Sequence, residues 1–257
     1  MNNKACTIIP TFTPHFEYTL NAIKTFNQFV GGDLYIVFSN IYEKKEFEKL
    51  TDEKFYSLIL PDSQSSYESC VTVKKLFAIK HIIDNYDYVG VFDTETVFIK
   101  EYEQYILYKT IFETCEFKSN KSLCGGKMLM HTLNALEFNE NERKIILEKT
   151  DNLDQYWWFN EIMVYEKNTF LEFYKWLIDH KNYENIVNDK EHFDFHMYSL
   201  WLLAFKNFNL KKLCQDNSFI HGAIEGPHDI TVSEIFKSNL DIFETEYSKV
   251  IIHLNRF

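Results

Sequence analysis

At 257 residues, 46% of them hydrophobic, the chain is long enough to bury a sizeable core in one large domain. A formal charge of -11 and a pI near 5.3 exclude broad electrostatic attachment to nucleic acid or an anionic bilayer, since both need basic surface. Arg143 and Arg256 are the only arginines, whereas Lys, Asn, Ile, Phe and Tyr are abundant, as AT-rich coding DNA produces, so aromatic richness alone does not point to a ligand.

The five cysteines, Cys6, Cys70, Cys115, Cys124 and Cys214, are scattered and contain no C-x-x-C, which reads as reduced thiols of a cytosolic protein. The run after Met1 is too short for a signal peptide, and no stretch approaches the roughly 18 apolar residues of a spanning helix. The expected location is the cytoplasm, with transient contact at the inner face of a membrane if the substrate is membrane-borne.

Cys6 to Ile9 reads as a buried strand stopped by Pro10-Thr11-Phe12-Thr13-Pro14, followed by a helix from about Phe16 to Phe29. Leu34–Phe38 reads as a strand, Tyr42–Leu50 as a charged amphipathic helix, Tyr56–Leu60 as a strand ended by Pro61, and Val71–Asn85 as a helix feeding a strand that begins at Tyr86. This alternation predicts a mostly parallel sheet with helices on its faces. Further on, Tyr102–Phe117 and Asn134–Lys149 read as helices around a Cys124-Gly125-Gly126 turn, Trp158–Tyr165 as a strand, Thr169–His180 and Phe193–Phe208 as packed helices, and Phe219–Ile224 and Val250–Leu254 as short strands.

The most informative stretch is Tyr86 to Ile99, an apolar run ending in Asp93-Thr94-Glu95 before becoming apolar again. Unpaired carboxylates cost several kcal/mol when buried, so the pair asks for a cation, and a strand-ending Asp-x-Glu in an α/β sheet can hold a divalent ion against a diphosphate. The other reading is a surface turn with two solvated acids. Taken together, Val73-Lys74-Lys75-Leu76-Phe77-Ala78-Ile79-Lys80, Tyr86-Asp87-Tyr88-Val89 and Asp93-Thr94-Glu95 resemble the corresponding segment of GT-A-type glycosyltransferases, with Glu replacing the last Asp of Asp-x-Asp.

The resemblance runs from about Cys6 to Ile99. It implies a GT-A-like, Rossmann-related α/β fold in a single domain, with residues 1–100 binding the nucleotide sugar and 101–257 binding the acceptor. It also implies Mn or Mg on Asp93 and Glu95, with Asp93 and Thr94 beside the ribose or sugar. Base and ribose are expected at Pro10, Thr11 and Phe12, with Tyr67 stacking on the base and Lys75 facing the nucleotide; Lys74 is adjacent, and a solvated helix face is the other reading of Lys75. A third metal ligand is expected from the carboxyl-terminal region, His221 being the best match and His228 and His253 its competitors.

Trp157-Trp158-Phe159-Asn160-Glu161 resembles the acceptor-side strand of the family, which has Gly where Ile162 stands here. Glu161 is therefore one candidate base for the acceptor hydroxyl. Asp194 is the other, since a carboxylate in a helix's first turn is kept ionised by the macrodipole. His192 and His196, four apart, lack an H-E-x-x-H pattern and are not expected to bind metal.

The function implied is metal-dependent transfer of a sugar from a nucleotide diphosphate sugar to a glycan or lipid-linked glycan acceptor, as in bacterial surface polysaccharide or lipooligosaccharide synthesis. The alternatives are a sugar-nucleotide nucleotidyltransferase, although the loop after the first strand lacks the glycines and arginine it needs, and a noncatalytic nucleotide-sugar-binding module. A dinucleotide-dependent dehydrogenase is disfavoured because G-x-G-x-x-G is missing.

Overall fold

The computed structural model describes residues 3–61, 71–121, 125–156, 163–179, 183–189, 191–212, 220–226 and 251–256. The first half runs β1 (Ala5–Pro10), α1 (Phe16–Phe29), β2 (Asp33–Phe38), α2 (Ile41–Glu48), β3 (Tyr56–Ile59), α3 (Val71–Ile82), β4 (Tyr88–Val91), β5 (Thr96–Phe98) and α4 (Gln104–Glu113). Then come β6 (Glu116–Lys121), α5 (Gly125–Ala135), α6 (Glu140–Lys149), β7 (Gln155–Tyr156), β8 (Met163–Glu166), α7 (Lys167–Ile178), α8 (Tyr183–Asn188), α9 (Asp194–Phe205), β9 (Asn209–Lys212), β10 (Ile220–Gly226) and β11 (Ile251–Arg256).

The central sheet has the order β3-β2-β1-β4-β8, parallel throughout except for β8 at its edge. Alternation along each strand splits the apolar residues between two faces. Cys6, Ile8, Val89 and Val91 join the core under α3, α5, α6, α7 and α9, whereas Ile9, Ile36, Phe38 and Tyr88 join the core under α1, α2 and α4. Gly90 lets α4 close onto the sheet, because a Cβ there would lie 2.5 Å from the Tyr108 ring. The Tyr108 hydroxyl meets Thr7 Oγ1 at 2.6 Å, so this close approach carries a buried hydrogen bond.

The chain leaves β1 for β2 on one side and returns to β4 on the other, so the order reverses between β1 and β4. Ligands of open α/β sheets collect at the carboxyl ends of strands at such a switch point. A second sheet, β10-β11-β5, pairs the carboxyl-terminal strand antiparallel with the segment directly after Glu95, and a third has the order β7-β6-β9.

The expected helix over Tyr102–Phe117 stops at Glu113, because Cys115 takes a left-handed φ of 52° and the chain turns into β6. The expected helix over Asn134–Lys149 is two helices. Glu137, at φ 47°, breaks the chain, and Asn139 and Glu142 form a reciprocal capping box that starts α6 afresh. Gly125 and Gly126 open α5 rather than forming a turn. Of the expected strand over 158–165, residues 158–162 lie outside the described residues.

Candidate active site

The loop after β1 is fastened from three helices. Thr11 N–H extends the β1–β2 ladder by donating to Val37 O at 2.9 Å, and its carbonyl accepts from Lys74 Nζ of α3 at 2.5 Å. The Thr11 hydroxyl lies 2.6 Å from Thr19 Oγ1 of α1, whose own proton goes to His15 O at 2.9 Å, so Thr11 is the donor of that pair. Glu43 of α2 accepts from Thr13 N–H at 2.9 Å and Ser39 N–H at 2.6 Å. The loop conformation is thus set before any ligand arrives, and the Thr11 hydroxyl is turned to α1. The Phe12 ring packs 4.1 Å from His15 with Lys74 Nζ 5.8 Å from its centroid. Pro10, Thr11, Phe12, Lys74, Asp93 and Thr94 line a notch of about 40 Å³, the space of roughly one water.

Across the switch point, Phe92 N–H donates to Ile8 O at 3.0 Å, carrying the β1–β4 register to the residue before Asp93. Asp93 Oδ1 then meets Lys75 Nζ at 2.7 Å, and the same ammonium lies 3.6 Å from Asp194 Oδ1, an ion pair too long for a hydrogen bond. Tyr165 of β8 donates to Asp194 Oδ2 at 2.6 Å. Lys75 is 5% exposed and Asp194 1%. Burial acts to lower the Lys75 pKa, yet the charges of Asp194 and Asp93 outweigh it and hold the ammonium protonated above its ordinary range. Burial raises the Asp194 carboxyl, and Lys75 and Tyr165 offset only part of that rise.

Glu95 turns toward α1. Thr94 Oγ1 donates to Glu95 Oε2 at 2.7 Å, and His15 Nδ1 lies 2.7 Å from Thr94 Oγ1 and 3.1 Å from Glu95 Oε1. With the threonine proton committed to the carboxylate, His15 Nδ1–H donates to both. Burial acts to raise the Glu95 carboxyl, but the hydrogen bond from His15 leads the opposing contributions and leaves it below the usual range. Neither acid is a freely solvated turn residue: the Asp93 and Glu95 side chains are 24% and 20% exposed.

Pro10, Thr11, Phe12, Lys75, Asp93, Thr94, Glu95 and Asp194 are therefore brought to one end of the sheet. Lys74, which the sequence did not single out from its neighbour, is buried at 1% exposure and bound to the Thr11 carbonyl, and Lys75 is buried too rather than on a solvated helix face. Tyr67, Glu161 and His228 lie outside the described residues, as do Trp157 and Trp158. The backbone of His221 lies on β10 opposite Ile252, whereas His253 on β11 is opposite Thr96, the residue after Glu95. Sequence reasoning missed His15 and Tyr165. His15 carried a signal, as the one histidine in the loop leaving the first strand; Tyr165 carried none, because its partner Asp194 is remote in sequence.

No protein-family model matches the sequence, and no curated protein does. Among solved structures, apo WbbM, a bifunctional glycosyltransferase, is similar at 16% identity and a TM-score of 0.48 over 98% of this chain. The Mn/GDP form of core-mannan synthase A (CmsA/Ktr4) from Aspergillus fumigatus is similar at 11% identity and a TM-score of 0.44 over 81% of this chain. The chain spans 46% of the length of the WbbM chain and 72% of that of CmsA.

Proposed function

We propose that the chain is a metal-dependent glycosyltransferase that moves a sugar, a hexose in our reading, from a nucleotide diphosphate sugar to a glycan or lipid-linked glycan acceptor. The setting we propose is bacterial surface polysaccharide or lipooligosaccharide synthesis on the cytoplasmic side of the membrane. The observation that carries this reading is the placement of Asp93 and Glu95 at the end of β4, across the switch point from Pro10–Phe12 and beside buried Lys75.

Cleavage of a nucleotide sugar builds negative charge on the departing diphosphate. Mn or Mg held by Asp93 and Glu95 supplies Lewis-acid stabilisation of that charge. The donor set fits such an ion: both ligands are hard carboxylate oxygens, and both side chains keep part of their surface accessible. His253, opposite Thr96 in the β5–β11 ladder, joins His221 as a candidate third ligand.

Pro10, Thr11 and Phe12 form the base and ribose wall, with Tyr67 as a second stacking residue. Thr94 orients Glu95 through its hydroxyl. Lys75 adds fixed positive charge beside Asp93. Asp194, buried between Lys75 and Tyr165, acts in this reading as a positioning residue for Lys75, which leaves Glu161 as the preferred acceptor base. One contact favours a second reading: Lys75 Nζ already neutralises Asp93 at 2.7 Å, as in a nucleotide-sugar-binding module that uses lysine in place of a metal.

Release of nucleoside diphosphate from a panel of nucleotide sugars, with manganese and then with excess chelator, separates the two. The transferase reading expects turnover that chelator abolishes and that Asp93→Asn lowers by about a hundredfold or more, the scale of one lost transition-state charge contact. Binding that survives chelator, with no turnover on any donor, refutes it.

A further inference from the structure

A second group of ligating side chains lies where α5 faces the turn between α8 and α9. His131 on α5, Asp189 after α8 and His192 before α9 present one donor atom each, all within 4.8 Å of one another, and no other such group of three occurs among the described residues. Asp189 Oδ2 is 3.2 Å from His131 Nε2 and 3.7 Å from His192 Nε2. Glu191 Oε2 adds a further carboxylate 3.6 Å from His131 Nε2. Ligand atoms around a tetrahedral ion with bonds of about 2.0–2.1 Å lie about 3.3–3.4 Å apart, and the two Asp189 edges bracket that spacing.

The hydrogen bonds around His192 set its tautomer. Thr132 Oγ1 donates its proton to Met128 O at 3.1 Å, so what it offers His192 Nδ1 at 3.3 Å is a lone pair. Nδ1 therefore carries the hydrogen, which leaves a lone pair on Nε2, 3.7 Å from Asp189 Oδ2. Asp189 Oδ2 accepts from His131 Nε2–H at 3.2 Å, and an ion bound here would take the place of that proton. An outer partner that fixes the tautomer in this way is the usual companion of a metal-binding histidine. The His131 and His192 rings stack at 4.4 Å, so the exposed His131 ring must tilt to complete coordination while buried His192 stays in place.

We propose that His131, Asp189 and His192 bind one Zn²⁺, with Glu191 within reach of the fourth position. Two imidazoles and a carboxylate are a zinc donor set. The ion would join α5 to the turn that leads into α9, and the His192 carbonyl already accepts from Thr72 Oγ1 of α3 at 2.8 Å. Asp194 lies two residues beyond His192, and Lys75 about one helical turn beyond Thr72. The metal therefore supports the two segments that carry the Lys75–Asp194 pair, and it is separate from any ion on Asp93 and Glu95.

The test is titration of chelator-stripped, full-length protein with ZnCl₂ against a competing fluorescent chelator, with folding of each variant checked by circular dichroism. Wild type is expected to bind at one site, and His131→Ala and Asp189→Asn, both at accessible positions, to weaken it by about a hundredfold or more, beyond the loss of an outer hydrogen-bond partner. Asp93→Asn is expected to keep that affinity. Wild type that binds no zinc at about 100 µM, well above the dissociation constants of structural zinc sites, overturns the proposal. Unchanged affinity in both folded variants, or a loss confined to Asp93→Asn, overturns it equally. Because zinc binding is read without turnover, failure of the transferase reading leaves this result intact.

Discussion

Replacing Lys75 with methionine keeps most of the side-chain volume and removes the charge that two carboxylates share. Asp93 can rehydrate through its accessible surface, but Asp194, 1% exposed, keeps no counter-ion, only hydrogen bonds from the Tyr165 hydroxyl and its own backbone N–H. Removing one partner of a buried ion pair costs about 3–5 kcal/mol, and urea denaturation of Lys75→Met at pH 8 is expected to show a loss of that size. The loss depends on pH with a definite sign. Burial already raises the folded Asp194 carboxyl, and losing the lysine raises it further. Between the unfolded aspartate pKa, about 3.9, and that raised folded value, the folded variant holds a proton that the unfolded chain has released. Its stability therefore falls as pH rises, by about 1.4 kcal/mol per unit across that window, and recovers on acidification. The deficit relative to wild type is largest at pH 8 and shrinks toward pH 5, and adding Asp194→Asn to Lys75→Met restores most of it. A deficit below about 1 kcal/mol that is equal at both pH values would refute the account of Lys75 as counter-ion to a buried carboxylate.

Phe12→Ala is expected to weaken nucleoside diphosphate binding by roughly 10- to 100-fold, as loss of one base–aromatic stack does, measured by calorimetry; unchanged affinity removes Phe12 from the nucleotide site. Gly90→Ala forces the Tyr108 ring off the sheet and should cost about 1–3 kcal/mol in denaturant unfolding, whereas a neutral effect would mean that α4 shifts freely. His15→Ala removes the leading contribution that holds the Glu95 carboxyl down, so its pKa should rise in an NMR titration. Stability that Glu95 contributes above its unfolded pKa should then be lost at a higher pH during acidification, and an unmoved titration curve would count against the His15–Glu95 contact.

The parallel sheet was legible in the sequence because each early strand is a short apolar run bounded by proline, glycine or a charged turn, and α1 falls where its spacing places it, from Phe16 to Phe29. Beyond Ile99 the local signal weakens. A left-handed Cys115 cannot be read from an apolar helical pattern, and β6 and β9 carry lysine, serine and asparagine whose strand state comes from pairing with each other. Asp93 and Glu95 stood out as acids in an apolar run. Lys74 and Lys75 did not separate into distinct roles, because adjacent helical residues point about 100° apart and only the tertiary structure says which direction meets Thr11 and which meets Asp93. The His131–Asp189–His192 group was invisible for the same reason: its members come from α5 and from a turn far along the chain, and the i,i+4 pairing of His192 with His196 pointed elsewhere.

The pairing of β5 with β11 ties the turn holding Asp93 and Glu95 to a strand synthesised much later. Roughly 150 residues separate Phe98 from Ile251, so at ordinary elongation rates β5 emerges roughly 8–30 s before its hydrogen-bonding partner exists. During that interval β1, β2, β3 and β4 can assemble while the segment after the acids has no ladder to hold it. A nascent chain would thus own its central sheet well before β5 is fastened, and a ribosome-stalled intermediate released ahead of β11 should be compact by proteolysis yet open to cleavage around residues 93–98.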